Sequence, residues 1–584
     1  MTERFAHPLP FGAELLGNLA RFRIWAPSAK HLVLELDGVD HAMTTLQDGW
    51  HEAAVVAEPG ARYRYRMPDG MAFPDPASRA QAGDVHDPSL LVDPRSFEWK
   101  HGGWKGRPWH EAVVYELHPG AFGGFDGIRA ELPRLAALGV TAVELMPIAD
   151  FPGAHNWGYD GVLPYAPDAA YGTPDQLKAM IDAAHGLGLM VMLDVVYNHF
   201  GPDGAYIHAF AKPFFRDDKH TPWGAAIDFC RPEVRQYFEQ NALYWLHEYR
   251  FDGLRFDAVH AIDDPGFLDE MAAVLRSSTD REIHLVLEHE GNAARHLRAN
   301  SGGPGFDAQW TDDVHHCLHV LLTGESEGYY EDFDDPIHRL ARAMAEGFVY
   351  QGEVSKHSGK PRGEPSAHLP TTAFVICLQN HDQIGNRAMG ERLTQLAEPG
   401  ALRAATVLLL LSPFVPMLFM GEEVASTAPF LFFTAHNDEL AELVREGRRA
   451  EFKHFAAFQD PERREKIPDP NAPATFRASV PELTGDSSFI TKLLAVRAAS
   501  VVPGIPGCRS AGVTVLGHAA LVARWRLGTG ATLAIAINLG DEKPTLPMAA
   551  AGDTIFESPI GAWDAAMYGT LLERSAVAWI EPSL

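Results

Sequence analysis

The chain has 584 residues, too many for one ordinary hydrophobic core, so several domains are expected. Its 46% hydrophobic residues suit a large globular interior, and 77 acidic against 49 basic residues give a formal net charge of −28. A surface this acidic repels phosphate backbones and anionic membranes. Nucleic acid and membrane surfaces are therefore not expected partners, whereas neutral substrates meet no such barrier.

The first residues, MTERFAHPLPFGAELLG, lack a basic stretch followed by an apolar core, so no secretory signal is expected. Strand-like alternation follows at 21–27 (RFRIWAP), 31–36 (HLVLEL) and 61–67 (ARYRYRM), punctuated by Asp37-Gly38, Asp48-Gly49 and Pro68-Asp69-Gly70. Residues 1–100 thus predict a small β-sandwich, with a linking loop from Phe73 to Pro94.

From 101 to 490 strand and helix patterns alternate. Helical periodicity at 128–138, 174–187, 234–249 and 267–275 precedes apolar runs at 140–145, 189–193, 253–256 and 284–287. Further strands are expected at 112–117, 306–310, 373–378 and 417–420. Eight strands apolar on both faces, with helices between them, predict an α/β fold, a closed parallel (β/α)8 TIM barrel with large loop excursions. An open doubly wound sheet is the alternative, disfavoured because no glycine-rich phosphate loop follows the first strand.

The apolar run from Ala404 to Met420 carries Pro413 and Pro416 and reads as a buried helix then a strand, not a membrane span. Residues 351–370, rich in Gly and Pro, read as a loop between barrel strands, and the acidic run Glu325 to Asp335 as solvated surface. Alternation returns at 513–517, 520–527 and 531–540, so 491–584 predict a carboxyl-terminal β-sandwich. Cys230, Cys317, Cys377 and Cys508 form no CxxC pair; buried, inert thiols in a reducing cytoplasm are expected.

Four stretches end apolar runs in polar residues: Asp194–His199 (DVVYNH), Asp252–His260 (DGLRFDAVH), Leu285–Asn292 (LVLEHEGN) and Gln379–Gln383 (QNHDQ). In a barrel, functional side chains sit where strands end. Asp257, Glu288 and Asp382 are then the carboxylates a retaining glycosidase needs, with nucleophile and acid/base about 5–5.5 Å apart. Asp257 suits the nucleophile, because Arg255 two residues back faces the same side and favours its ionised form. Glu288 follows an apolar run and keeps its proton more readily, and Asp382 is placed to hold the reacting sugar's hydroxyls.

Neutral imidazoles at His199, His260 and His381 suit hydroxyl groups, and Tyr159 offers a stacking face for a pyranose. The cluster Thr311 to Cys317 (TDDVHHC) invites a metal reading. One isolated cluster on a loop is weak support for that, so a substrate-contacting loop after the sixth strand is expected and no metal.

Taken in order, the four segments resemble the signature regions of the α-amylase superfamily of glycoside hydrolases. That likeness implies the same roles for Asp257, Glu288 and Asp382, sugar contacts from Tyr159, His199, Arg255 and His381, and support from Asp194. Within the superfamily, LVLEHEGN, AQWTDDVHH, QNHDQIGNR, HNDELAELVREGRRAEF (436–452) and PDPNAPATF (468–476) are similar to the maltooligosyltrehalose trehalohydrolase family. This implies hydrolysis of the α-1,4 bond next to a terminal trehalose, with maltooligosyl trehalose and related α-glucans as substrates. It also implies contacts from Phe256, Ala258, Val259 and His260, from Asp312, Asp313, Val314, His315 and His316, and from Gln383, Ile384, Gly385 and Asn386.

His289-Glu290 departs from the Asn-Asp more usual in that family, and Glu290 should lie displaced from the scissile bond. A glycogen branching enzyme with the same triad, a debranching enzyme and a non-catalytic glucan-binding protein remain the alternatives. Carboxylate chemistry of this kind implies no cofactor.

Overall fold

The computed structural model describes residues 4–262, 264, 266–298 and 305–581. The first three residues of the segment read for a signal, and the last three of the carboxyl-terminal region, lie outside the described residues. Eight short strands close into a parallel barrel. They are β1 (Val114–Leu117), β2 (Ala142–Leu145), β3 (Met190–Val195), β4 (Gly253–Phe256), β5 (His284–Leu287), β6 (Ala308–Trp310), β7 (Phe374–Cys377) and β8 (Val415–Phe419). Closure is set by β8 pairing with β1, Met417 beside Val114, which removes the doubly wound alternative.

Every residue of these strands is buried, because each strand has the barrel interior on one face and helices on the other. Helices Gly124–Leu138, Pro174–Gly186, Pro232–His247 and Phe267–Ser277 fall where periodicity placed them. The second starts sharply, since Thr173 and Gln176 form a reciprocal capping box and Pro174 takes the first turn.

Strand periodicity also divides the barrel interior along its axis. At its amino-terminal end Val114, Ala142, Met190, Met192, Val286, Ala308, Val375, Cys377, Val415 and Met417 pack as one apolar plug. Two residues further along the same inward faces stand Glu116, Glu144, Asp194 and Glu288. The apolar plug therefore ends in a ring of carboxylates.

Before the barrel lie two antiparallel sheets. One holds Gly12–Leu16, Leu19–Trp25, Trp50–Val56 and Thr44–Thr45; the other holds Val39–Ala42, Val33–Leu36, Arg62–Arg66 and Ala72–Phe73, with Ser89–Leu90, inside the stretch expected as a linking loop, also pairing with Arg62–Arg66. Phe22, Leu34, Tyr63 and Tyr65 are buried between them. After the barrel comes a five-stranded antiparallel sheet formed by Arg509–Val515, Ala520–Arg526, Thr532–Asn538, Ser575–Glu581 and Asp553–Ser558. It packs on helices Pro336–Glu346 and Pro399–Leu411, and helix Ala562–Met567 shares its apolar cluster.

Three expectations need correction. Asp312–Thr323 is a helix and not a loop: Val314, Cys317 and Leu318 recur at helical spacing and are buried. The acidic run is only partly solvated, since Asp332 is 3% exposed and accepts hydrogen bonds from Ser355 Oγ (2.7 Å) and the amides of Lys356 (2.6 Å) and His357 (3.0 Å). That carboxylate pins the 351–370 loop. Of the four free thiols, Cys230 is exposed while the other three are buried.

The turn into β8 is clasped by Arg497, 1% exposed, whose guanidinium donates to Leu410 O (3.0 Å), Ser412 O (2.6 Å) and Phe414 O (2.6 Å). Replacing Arg497 with Met strands these buried carbonyls together, at an expected cost of about 3 kcal/mol or more. Urea unfolding should report a lowered midpoint. An unchanged midpoint would mean that other donors reach those carbonyls.

Candidate active site

Arg255 lies at the centre of the carboxylate ring, on β4 beside Asp194 of β3 in the strand register. Its side chain is fully buried, and Nη1 sits 2.8 and 2.7 Å from the two Asp194 oxygens and 2.8 Å from Asp257 Oδ1. Nη2 lies 2.9 Å from Glu288 Oε2. The indole of Trp310, at the end of β6, sits under the guanidinium, 4.1 Å from its carbon.

Asp257 follows β4 directly, and Asn198 Nδ2 donates to its Oδ2 at 3.0 Å. The next residue, Ala258, adopts a left-handed φ of 40°. That turn brings its amide to Glu288 Oε2 at 2.9 Å, a strained conformation held in place at the cleft. Asp382 stands on the short helix His381–Gly385 after β7, with Asn386 Nδ2 3.3 Å and His381 Nε2 3.4 Å from its Oδ1. The Asp257, Glu288 and Asp382 side chains keep 11%, 19% and 36% exposure, so all three remain open to a ligand.

The Tyr159 hydroxyl donates to Asp194 Oδ2 at 2.7 Å and lies 2.9 Å from His381 Nε2. Gly158 makes this placement possible. Its φ is +104°, and a Cβ there would lie 2.2 Å from Pro147 O. His199 Nε2 is 3.0 Å from Tyr159 O, and its ring stacks on Trp223, itself 47% exposed, at 4.8 Å.

Burial dominates the electrostatics. It pushes Glu288 up to about 7, against Arg255 and helped by the charges of Asp257 and Asp382. Burial raises Asp257 as well, outweighing the Arg255 attraction that the sequence reading made decisive. Asp382 goes the other way: burial would raise it, but the charge and hydrogen bond of His381 hold it below the usual carboxylate range. Asp312 rises to about 7 through burial and then the charges of Glu288 and Asp382.

The structure thus gathers Asp194, Arg255, Asp257, Glu288, Tyr159, His381 and Asp382, with His199 beside Tyr159 and Asp312 near the carboxylates. Other expected contacts are turned inward. Phe256, Val259, Val314 and Ile384 are wall residues no more than 2% exposed. His315 is also buried, its Nδ1 against Leu378 O and its Nε2 3.2 Å from the Tyr330 hydroxyl. Asp313 accepts from Asn292 Nδ2 at 2.9 Å and Val349 N at 2.8 Å, and His316 packs on Phe333 at 4.8 Å.

Ala258, Gln383 and Gly385 enter through backbone placement. A Cβ at Gly385 would lie 2.1 Å from the Trp157 ring, and Arg448 Nη2 holds its carbonyl at 2.6 Å. His260 is on the rim, 3.7 Å from Glu290, whose side chain is 75% exposed. Glu116, Asn198 and Trp310 were not singled out in the sequence; an acid inside the apolar run of β1 is the signal that marks Glu116. Among the described residues no cluster of three His, Cys, Asp or Glu is arranged to hold a metal ion, and no helix is long and apolar enough to cross a membrane.

Residues 91–224 match the family model described as alpha amylase, catalytic domain, and residues 508–579 match a domain of unknown function, DUF3459. A malto-oligosyltrehalose trehalohydrolase of Deinococcus radiodurans is 41% identical over 81% of this chain and 78% of that protein. One of Mycobacterium tuberculosis is 36% identical over 96% of this chain and 100% of its own length. A crystal structure of a Salmonella typhimurium protein, 43% identical, superposes with a TM-score of 0.93 over 98% of this chain and 100% of that one. With its closed barrel and its gathered carboxylates, the chain belongs to the malto-oligosyltrehalose trehalohydrolase family, glycoside hydrolases of the α-amylase superfamily.

Proposed function

We propose that this enzyme hydrolyses the α-1,4-glucosidic bond next to the terminal trehalose of maltooligosyl trehalose, releasing trehalose with retention at the anomeric carbon. The observation that carries the mechanism is Arg255, one guanidinium touching both Asp257 and Glu288 at 2.8 and 2.9 Å. Carboxylates bridged in this way suit the narrow spacing of about 5–5.5 Å that direct attack needs.

Asp257 Oδ attacks the anomeric carbon as the bond to the leaving oxygen breaks, and Glu288 gives its proton to that oxygen. Asp382, kept ionised, holds hydroxyls of the flattened ring. Once Asp257 is esterified its negative charge is gone, so Glu288 loses one of the causes that raised it and becomes the base that takes a proton from water, as the water oxygen bonds the anomeric carbon and Asp257 leaves as its carboxylate. Tyr159, His199, Arg255, His381, Asp312 and Asn386 border this pocket in the reading, and Asp194 supports it from behind.

The division into a carbohydrate-binding-like sandwich (1–100), barrel (101–490) and carboxyl-terminal sandwich (491–584) belongs to the same proposal. So does a cytoplasmic location, supported by unpaired thiols at all four cysteines.

Product analysis tests the substrate. Maltooligosyl trehalose should yield free trehalose and a new reducing end. Unchanged substrate, or new α-1,6 branches in a glucan, would replace this reading with a binding or branching role. Glu288→Gln and Asp257→Asn should each lower kcat by about 10²–10⁴-fold; near-normal turnover in either would remove the assigned role. The pH profile follows from Glu288. It must carry a proton in the first step, so kcat/KM should fall as pH rises through about 7. An alkaline limb well above neutrality would assign the proton to another group.

A further inference from the structure

Glu116, on β1 and 1% exposed, grips His381 twice: one oxygen contacts ring Nδ1 and the other accepts the backbone amide at 3.1 Å. Both Glu116 oxygens face donors in this grip, one the amide and the other Nδ1, so Nδ1 carries hydrogen. On the opposite edge, Nε2 lies 2.9 Å from the Tyr159 hydroxyl and 3.4 Å from Asp382 Oδ1.

The Tyr159 hydrogen is donated to Asp194 Oδ2 at 2.7 Å, and that carboxylate also receives Arg255. Tyr159 and Asp382 therefore present lone pairs alone to Nε2, which must carry hydrogen too. Both ring nitrogens are donors.

Charged and titratable groups around the ring come from every neighbouring element. Glu116 and Glu144 stand on β1 and β2, His118 follows β1, Tyr159 follows β2, and Asp382 is on the same short helix. Asp194 and Arg255 act through Tyr159 and across Trp310. Glu144 is 2% exposed, and burial, then the charges of Asp194 and Glu116, raise it far above the usual carboxylate range. Burial holds His118 down at about 4, so it is neutral. The indoles of Trp157 and Trp310 flank the ring at 5.6 and 5.9 Å. The ring's two edges thus meet Glu116 on one side and Asp382 with Tyr159 on the other.

We propose that Glu116 is a positioning residue that holds His381 as an imidazolium clamped between two carboxylates, and so keeps Asp382 ionised and oriented. This rests on the reading of Asp382 as the carboxylate that holds the reacting sugar. Without the Glu116 charge, the ring would titrate near the working pH range.

Glu116→Gln preserves shape and removes the charge. It should lower kcat by about 10- to 100-fold above neutrality with a smaller change in KM. Activity should recover as pH falls, moving the alkaline limb toward acid by about one unit or more. Glu144→Gln, the matching change on β2 at a residue that makes no hydrogen bond to His381, should keep the wild-type limb. A Glu116→Gln limb identical to wild type, with equal loss at every pH or no loss, would overturn the proposal.

The second measurement needs no substrate and no folded variant of Glu116. In ¹⁵N-histidine-labelled wild-type protein, with the signal identified by its loss in His381→Asn, the ring should remain doubly protonated at about pH 8. A neutral ring there would overturn the proposal even if trehalose release were confirmed. Absence of trehalose release with a charged ring would instead sink the substrate reading alone.

Discussion

Three carboxylates at the carboxyl-terminal mouth of the barrel depend on one buried guanidinium. Arg255 touches Asp194, Asp257 and Glu288 with a fully buried side chain. Stripped of water, three neighbouring carboxylates repel one another and each is driven to keep its proton. A lysine would supply a point charge to one of them, whereas a planar guanidinium reaches several oxygens while its face rests on the Trp310 indole. The arrangement is a hub: removing it leaves uncompensated buried charge and not merely one lost hydrogen bond.

A second constraint comes from the strands. Inward side chains alternate, so the layer that fills the barrel and the layer that lines its mouth lie two residues apart on one strand. Val286 belongs to the apolar plug, and Glu288 is the next inward position. Arg255 and Asp257 stand in the same relation one strand away. Rigid spacing of this kind holds reactive groups in place without flexible loops, because the plug beneath cannot shift without opening voids in a closely packed core. Glycine assists where backbones must nearly touch: a Cβ at Gly253 would lie 2.6 Å from His284 O on the adjacent strand.

The same alternation explains what the sequence disclosed. Strands β4 and β5 have the bounds read from residues 253–256 and 284–287, since short apolar runs preceded by helical periodicity admit few other readings. The carboxylates after them were legible because barrel chemistry concentrates at strand ends. The helix Asp312–Thr323 was missed. Its histidines and acids draw attention as a polar cluster, while the apolar spacing of Val314, Cys317, Leu318 and Leu321 is the actual signal. Glu116 was missed for a related reason. A single acid in an apolar run shows only that something must pair with it, and its partner His381 lies 265 residues away. Long-range pairing of buried charges has no local periodicity to read.

Those long-range pairs also bear on specificity. In the proposed mechanism hydrolysis and transfer would use the same three carboxylates, so the difference between them would lie in what the rim admits beyond the scissile bond. Here the rim loops are fastened to the barrel by buried charge. Arg362 joins the 351–370 loop to Asp313 at 3.1 Å and to Glu290 O at 3.0 Å. Asp332 holds residues 355–357 from the other side. Arg448, on helix Asp438–Glu451, fixes the carbonyls of Gly385 at 2.6 Å and Arg387 at 3.2 Å, just past Asp382. Loops tied in this way bind without a large ordering cost, because their backbone is already held in one arrangement. A rim so constrained selects by shape and hydrogen-bond position. That suits discrimination between a trehalose unit and an ordinary glucan end, which differ in linkage geometry and not in charge.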